Sequence, residues 1–223
     1  MWAPKQIKDA PAASHAAYGF LGLGIILAVI AAGLSVYHAH STPKPPPGAL
    51  TSRSAPSSAK PSARAVASYT VPSDNPKYIA IPAIGVGKTR VLRLGLTSAG
   101  AIAVPNNIYD TGWYDNSSLP GRLGAMFIYG HVSSWTADGV FYNLKQLKPG
   151  AKVVITRGDN KVFTYQVVSS KVYPYDHVDM NQVLSPVDSG KPGLNLMTCT
   201  GAVIRGTSEF NKRLVVFTRL VNS

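Results

Sequence analysis

The chain holds one cysteine, Cys199, among 223 residues. A disulfide framework within the chain is therefore excluded, as is any zinc site built on two or more thiolates. There is no His-x-x-x-His pair to supply ligands another way, and loop carboxylates such as Asp176 and Asp179 form no pattern that asserts a calcium site. Neither a metal nor a cofactor is expected. Acidic residues are also scarce: 10 Asp and Glu stand against 22 Lys and Arg, a net charge of +12. The excess is diffuse, with no basic stripe interleaved with aromatics, so the sequence indicates no nucleic-acid partner. Attraction to an anionic envelope is a more natural reading of that charge, and a solvated surface with no specific partner is a plainer one still.

Only one long apolar run is present. From Ala16 to Tyr37 no residue is charged, and these 22 residues suffice to cross a bilayer as a helix. A cleavable signal peptide is the competing reading, with Lys5 and Lys8 as its basic region. Its apolar centre would span only about 7 to 15 residues before a small-x-small site, and Val36-Tyr37-His38-Ala39-His40 offers no such site. The expected organisation is a cytoplasmic tail over 1–15, a single-pass membrane anchor over 16–37, a stalk over 38–70 and an extracellular domain over 71–223. The stalk is rich in Pro, Ala and Ser, with the cluster Pro43-Lys44-Pro45-Pro46-Pro47, and buries too little apolar surface to fold by itself.

Beyond it, short segments rich in Val, Ile, Tyr and Phe alternate with Gly, Pro, Asn and Asp, the pattern of a mainly β domain closed as a barrel or sandwich. Eight strands are expected: 78–81, 89–94, 101–104, 125–129, 152–156, 161–172, 194–198 and 214–221. Arg157-Gly158-Asp159-Asn160 reads as a tight hairpin turn, although the same letters could serve as an adhesion tripeptide. Helical signal is sparse: one or two turns over 140–147, ended by Pro149-Gly150, and a short turn over 180–184.

An unpaired thiol in an exported protein invites a chemical reading. Cys199 ends the apolar run Leu194-Asn195-Leu196-Met197-Thr198 and meets an expected turn at Thr200-Gly201. Thiolate is the reactive form, so a partner is needed near neutral pH. His15, His38 and His40 flank the apolar run, which leaves His131 and His177. His131 closes Ala125-Met126-Phe127-Ile128-Tyr129-Gly130 at a strand end, whereas His177 lies in a polar connection beside Asp176. Arg213 opens the run Leu214-Val215-Val216-Phe217, and Arg205 lies in the loop before it; either could hold an oxyanion.

These residues carry a resemblance. Tyr129-Gly130-His131-Val132-Ser133, Met197-Thr198-Cys199 and Arg213-Leu214-Val215-Val216 resemble the His, Cys and Arg motifs of the sortases, in the same order and at similar separations. The likeness extends from about Lys77 to Leu220, and the anchor and proline-rich stalk look most like class E and class F sortases. One departure is Asn195, where the family usually has Thr. The resemblance implies a closed eight-stranded β-barrel with one or two short helices. It also implies a cysteine transpeptidase: Cys199 attacks a threonine carbonyl in a Leu-Pro-x-Thr-Gly-like sorting signal of a secreted surface protein and forms a thioester. An amine of peptidoglycan or of a pilin then releases it. His131 would act as general acid and base, and Arg213 would steady the oxyanion or the peptide. Two other readings stay open, a non-catalytic anchored adhesin or scaffold and a different cysteine cell-wall peptidase.

Overall fold

The computed structural model describes residues 55–223. The expected anchor over 16–37 and most of the expected stalk lie outside the described residues. Among the described residues no helix is long and apolar enough to cross a membrane.

Eight strands form the domain: β1 (Pro76–Ile81), β2 (Val86–Leu94), β3 (Thr111–Tyr114), β4 (Gly124–Gly130), β5 (Lys152–Arg157), β6 (Val162–Pro174), β7 (Pro192–Val203) and β8 (Phe210–Asn222). Two short helices accompany them, α1 (Ala63–Ala67) and α2 (Met180–Val183). The strands close in the order β1-β2-β3-β4-β7-β8-β6-β5. β2 with β3 and β4 with β7 run parallel, and all other pairs are antiparallel.

The two-residue period of a strand explains how this barrel acquires two apolar clusters. Met126 and Ile128 of β4 and Leu214 and Val216 of β8 point into the main cluster with Ile79, Ile155 and Leu196. Their alternates, Phe127, Tyr129, Val215 and Phe217, form a second cluster on the other face with Tyr173 and Val183. Val178, Met180 and Leu184 from around α2 cover that face. Strands buried on both faces read as continuous apolar runs, which is why β4 and β8 stand out in the sequence.

Seven of the eight strand expectations correspond to strands; 101–104 does not. There Thr97 N donates to Ala101 O at 2.7 Å and Gly100 N to Thr97 O at 2.9 Å, a turn that leaves only an isolated bridge between Leu96 and Ile102. The missing strand is β3, short and interrupted by Gly112. That glycine is required by a close approach: a Cβ on it would lie 2.8 Å from the Tyr129 ring and from Leu94.

The helix expected over 140–147 shrinks to a 3-10 turn, Leu144–Gln146. Val140 N donates to Ile108 O and Phe141 N to His131 O, so these two residues spend their N–H groups on neighbouring chain segments. The turn at 157–160 is a hairpin as expected, with Asn160 at φ 65° and Arg157 N donating to Lys161 O at 2.8 Å. Arg157 and Asp159 bind each other at 2.6 Å, and that pairing holds the Asp159 carboxyl down at about 2.

Ordered structure also begins inside the expected stalk. Ser62 caps α1 by accepting from Ala65 N at 3.1 Å. Tyr69 Oη donates to Val91 O at 2.8 Å and Tyr78 Oη donates to Val66 O, fastening this segment to the barrel.

Candidate active site

Cys199, His131 and Arg213 are brought together by strand register. β7 and β8 pair Cys199 directly with Arg213. β4 and β7 run parallel with Tyr129 opposite Met197, and two residues further along each strand stand His131 and Cys199. Thr198 Oγ1 ties the same two strands by donating to Gly130 O at 2.9 Å. Three neighbouring strands of one sheet thus present the three side chains at one level.

Cys199 lies within β7, not at its end. The expected turn at Thr200-Gly201 is instead a bulge, where pairing with β8 slips between Thr200 and Val203 and resumes at Phe210. Gly201 takes φ 86° there, so the Thr-Gly signal marks a bend in a strand that continues. The thiol is free and half-buried. Burial pushes its pKa up, the Arg213 charge pulls it down, and the Glu209 charge pushes it up again; the net shift is upward. At neutral pH the resting thiol is protonated.

His131 follows β4 directly and is half-buried. Its Nε2 lies 2.8 Å from Pro105 O. A carbonyl only accepts, so Nε2 carries the proton, and Nδ1 is the basic nitrogen of the neutral ring. Among the described residues no hydrogen bond joins this ring to Cys199.

The Arg213 guanidinium is tightly held. Nη2 pairs with Glu209 Oε2 at 2.9 Å, Nη1 donates to Phe210 O at 2.8 Å and to Lys212 O at 3.1 Å, and the group stacks 5.8 Å from the Tyr175 ring centroid. The alternative arginine, Arg205, is exposed on the loop between β7 and β8. His177 is likewise exposed and bonded to Asp176 at 2.8 Å. Asp179, the other carboxylate weighed for calcium, caps α2 by accepting from Gln182 N at 3.1 Å.

A cavity of about 200 Å³ opens beside Cys199, walled by Thr198 and Gly201, by Val132 and Ser133 just after His131, and by Tyr142 and Lys145. The sequence reading missed the Pro105 carbonyl, Glu209 and the wall formed by Tyr142 and Lys145. Only Glu209 left a trace, as a carboxylate four residues before Arg213. Asn195, read only as a departure, serves the fold. Fully buried, it donates from Nδ2 to Val183 O at 2.7 Å and to Ser185 O at 3.0 Å. It fastens the end of α2 to the barrel.

A closed mixed barrel with its only thiol on an inner strand beside an imidazole and a guanidinium defines a cysteine-dependent enzyme class. A sortase-domain family model matches residues 79–221, and the chain belongs to that family, the cysteine transpeptidases called sortases. Among solved structures, sortase C2 of pilus island 1 from Group B Streptococcus is similar at 24% identity and TM-score 0.51, over 74% of this chain and 82% of that one. The SrtA sortase from Actinomyces oris is similar at 17% identity and TM-score 0.51, over 76% and 88%. A Clostridium perfringens sortase D5 transpeptidase aligns at 26% identity and TM-score 0.49, over 67% and 80%. No curated protein matches the chain.

Proposed function

We propose that this sortase cleaves a Leu-Pro-x-Thr-Gly-like sorting signal after its threonine and transfers the acyl group to an amine of the cell envelope. The observation that carries the reading is the common register of Cys199, His131 and Arg213 on β7, β4 and β8, beside a cavity that reaches the thiol. Cys199 is the nucleophile, since a cysteine transpeptidase needs a thiol and the chain has one.

In the first half-reaction Sγ bonds to the threonine carbonyl carbon while its proton passes to His131. The C–N bond then breaks, and His131 returns the proton to the departing glycine amine. In the second half, the incoming amine attacks the thioester, gives its proton to His131, and thiolate leaves and is reprotonated. Splitting the exchange conserves the acyl bond energy without ATP. Arg213 steadies the oxyanion or the bound peptide. A protonated resting thiol suits this sequence, because thiolate then forms only as the proton moves to the imidazole.

The acceptor is an amine of peptidoglycan or of a pilin. The enzyme is held in the cell membrane by residues 16–37, with the catalytic domain outside, in the manner of class E or class F. What supports the anchoring is the uncharged run from Ala16 to Tyr37 followed by a proline-rich stalk.

Incubation with a library of Leu-Pro-x-Thr-Gly-like peptides, followed by intact-mass analysis, tests the reading. A thioester adduct is expected on the wild type and on Arg205→Ala, and none on Cys199→Ala. An active Arg213→Ala with a dead Arg205→Ala would overturn the choice of arginine. Activity that survives thiol alkylation would overturn the mechanism.

A further inference from the structure

The first described stretch of chain crosses the loops that hold His131. Ser57 N donates to Asn106 O at 2.7 Å, and Ile108 N donates to Ser57 O at 3.0 Å, so Ser57 adds a parallel rung to the loop that carries Pro105. Asn107 Nδ2 donates to Ala59 O at 2.8 Å on the same loop. On the other side, Ser58 Oγ shares hydrogen bonds with Ser134 Oγ at 3.0 Å and Thr136 Oγ1 at 3.2 Å, in the hairpin that follows His131. The network then continues inward: Val140 N donates to Ile108 O at 2.8 Å, Phe141 N to His131 O at 3.0 Å and Gly139 N to Val132 O at 2.9 Å.

We propose that residues 57–59 are a positioning strap for His131, holding the Pro105 carbonyl where it fixes the imidazole with its proton on Nε2. The strap touches neither the thiol nor the ring. It acts through two segments: 105–108, whose Pro105 O meets the His131 ring, and 133–138, which directly follows His131 in the chain. Ile108, the residue bonded to both Ser57 and Val140, is fully buried, so the loop has a fixed inner edge and needs only an outer one. The strap supplies that edge at the point where the chain enters the domain. A segment that would otherwise count as tether thereby takes part in building the site.

The proposal rests on the reading of His131 as general acid and base, and its test separates the two. In the full-length protein, Ser57→Pro removes the N–H that bonds Asn106 O, while Ser57→Ala keeps it, loses only the exposed acceptor of Ala59 N at 3.2 Å and serves as the conservative control. The ring nitrogens of His131, observed by ¹⁵N NMR, report tautomer and protection whatever the reaction. Ser57→Pro is expected to lose the protected Nε2–H signal, to shift the pH profile of kcat, and to lower kcat roughly tenfold with KM within about twofold of wild type. Ser57→Ala is expected to match wild type on every reading.

An unchanged His131 spectrum in folded Ser57→Pro overturns the strap, and so does an equal loss in Ser57→Ala. Altered ring signals with unaltered kcat would leave the strap standing and overturn the role given to His131. Should Ser57→Pro fail to fold, the double variant Ser58→Ala, Asn107→Ala removes the side-chain half of the strap and is judged by the same spectra.

Discussion

Gly139 offers the sharpest test of how the imidazole is held. The residue is buried, its N–H donates to Val132 O at 2.9 Å, and a Cβ on it would stand 2.4 Å from His131 O, 2.7 Å from the His131 carbonyl carbon and 3.0 Å from His131 Cβ. Ordinary contact begins at 3.4 Å, so the backbone of His131 and that of Gly139 must separate by about 1 Å. No flexible side-chain tip is available to give way. Overpacking of this kind costs about 1–3 kcal/mol. A loss of about 2 kcal/mol in a domain of this size lowers Tm by about 4–8 °C.

With His131 in its proposed role, the effect of Gly139→Ala on catalysis is expected to exceed the effect on stability, because misplacing a reacting group by about 1 Å can lower the rate about 100-fold. The assay is kcat/KM for transfer of a Leu-Pro-x-Thr-Gly peptide to an amine, measured well below Tm. Gly87→Ala is the control: that glycine is exposed, a Cβ on it would meet nothing within 4 Å, and its change is expected to stay within about 0.5 kcal/mol. If Gly139→Ala loses stability but keeps its rate per folded molecule, the contact does not position His131. If it is indistinguishable from Gly87→Ala in both respects, the packing argument is wrong.

Glu209→Gln keeps a hydrogen-bond acceptor for Arg213 but removes the negative charge that raises the Cys199 pKa. The midpoint of the iodoacetamide alkylation rate against pH is expected to fall, while Arg213→Gln, which removes the lowering charge, moves it up; a shift in the opposite sense in either variant refutes the electrostatic account. Thr198→Val deletes the bond from Oγ1 to Gly130 O between two buried strands and is expected to cost about 1–2 kcal/mol in urea unfolding, with no loss sinking the claim. Asn195→Thr removes both amide bonds that fasten α2 and is expected to cost about 2–3 kcal/mol. Faster amide exchange over Met180–Val183 is the local signature to look for, and unaltered exchange would show that the Asn195 amide does not hold the helix.

Cys199, His131 and Arg213 were legible because each begins or ends an apolar run, and the runs are strands of one sheet. What register did with them was not legible, since parallel pairing of β4 with β7 joins segments about 68 residues apart and leaves no local mark. β3 escaped notice because four residues with a glycine carry little periodic signal, while Ala101-Ile102-Ala103-Val104 reads as a strand but makes only the single bridge from Ile102 to Leu96. The helix over 140–147 is replaced by successive three-residue turns, with Leu144 N bonded to Phe141 O and Leu147 N to Leu144 O, while Val140 and Phe141 bond to Ile108 O and His131 O of other segments. The bond from the His131 side chain to Pro105 O likewise ends on the backbone of a distant segment. Residue types announce such contacts poorly, because every residue carries the same carbonyl.

The way Arg213 is held bears on what it is able to do. A guanidinium has five N–H donors in a rigid plane. Nη1 serves Phe210 O and Lys212 O, and one hydrogen of Nη2 serves Glu209, which accounts for three. Among the described residues, the Nε–H and the second Nη2 hydrogen have no protein acceptor. Three bonds fix the plane and two donors are left over, and in the proposed reaction these two would be the ones to meet the oxyanion, with little reorganisation as charge develops. Glu209 then has opposing effects in the proposed reaction. Its charge raises the thiol pKa and disfavours thiolate at rest. Its bond to Nη2 holds the guanidinium plane, on which the proposed oxyanion role would depend. The arrangement gives up resting nucleophilicity and gains aim. That exchange is favourable for an enzyme whose thiolate is generated by the neighbouring imidazole once a peptide is bound, and unfavourable for one that relies on a standing ion pair.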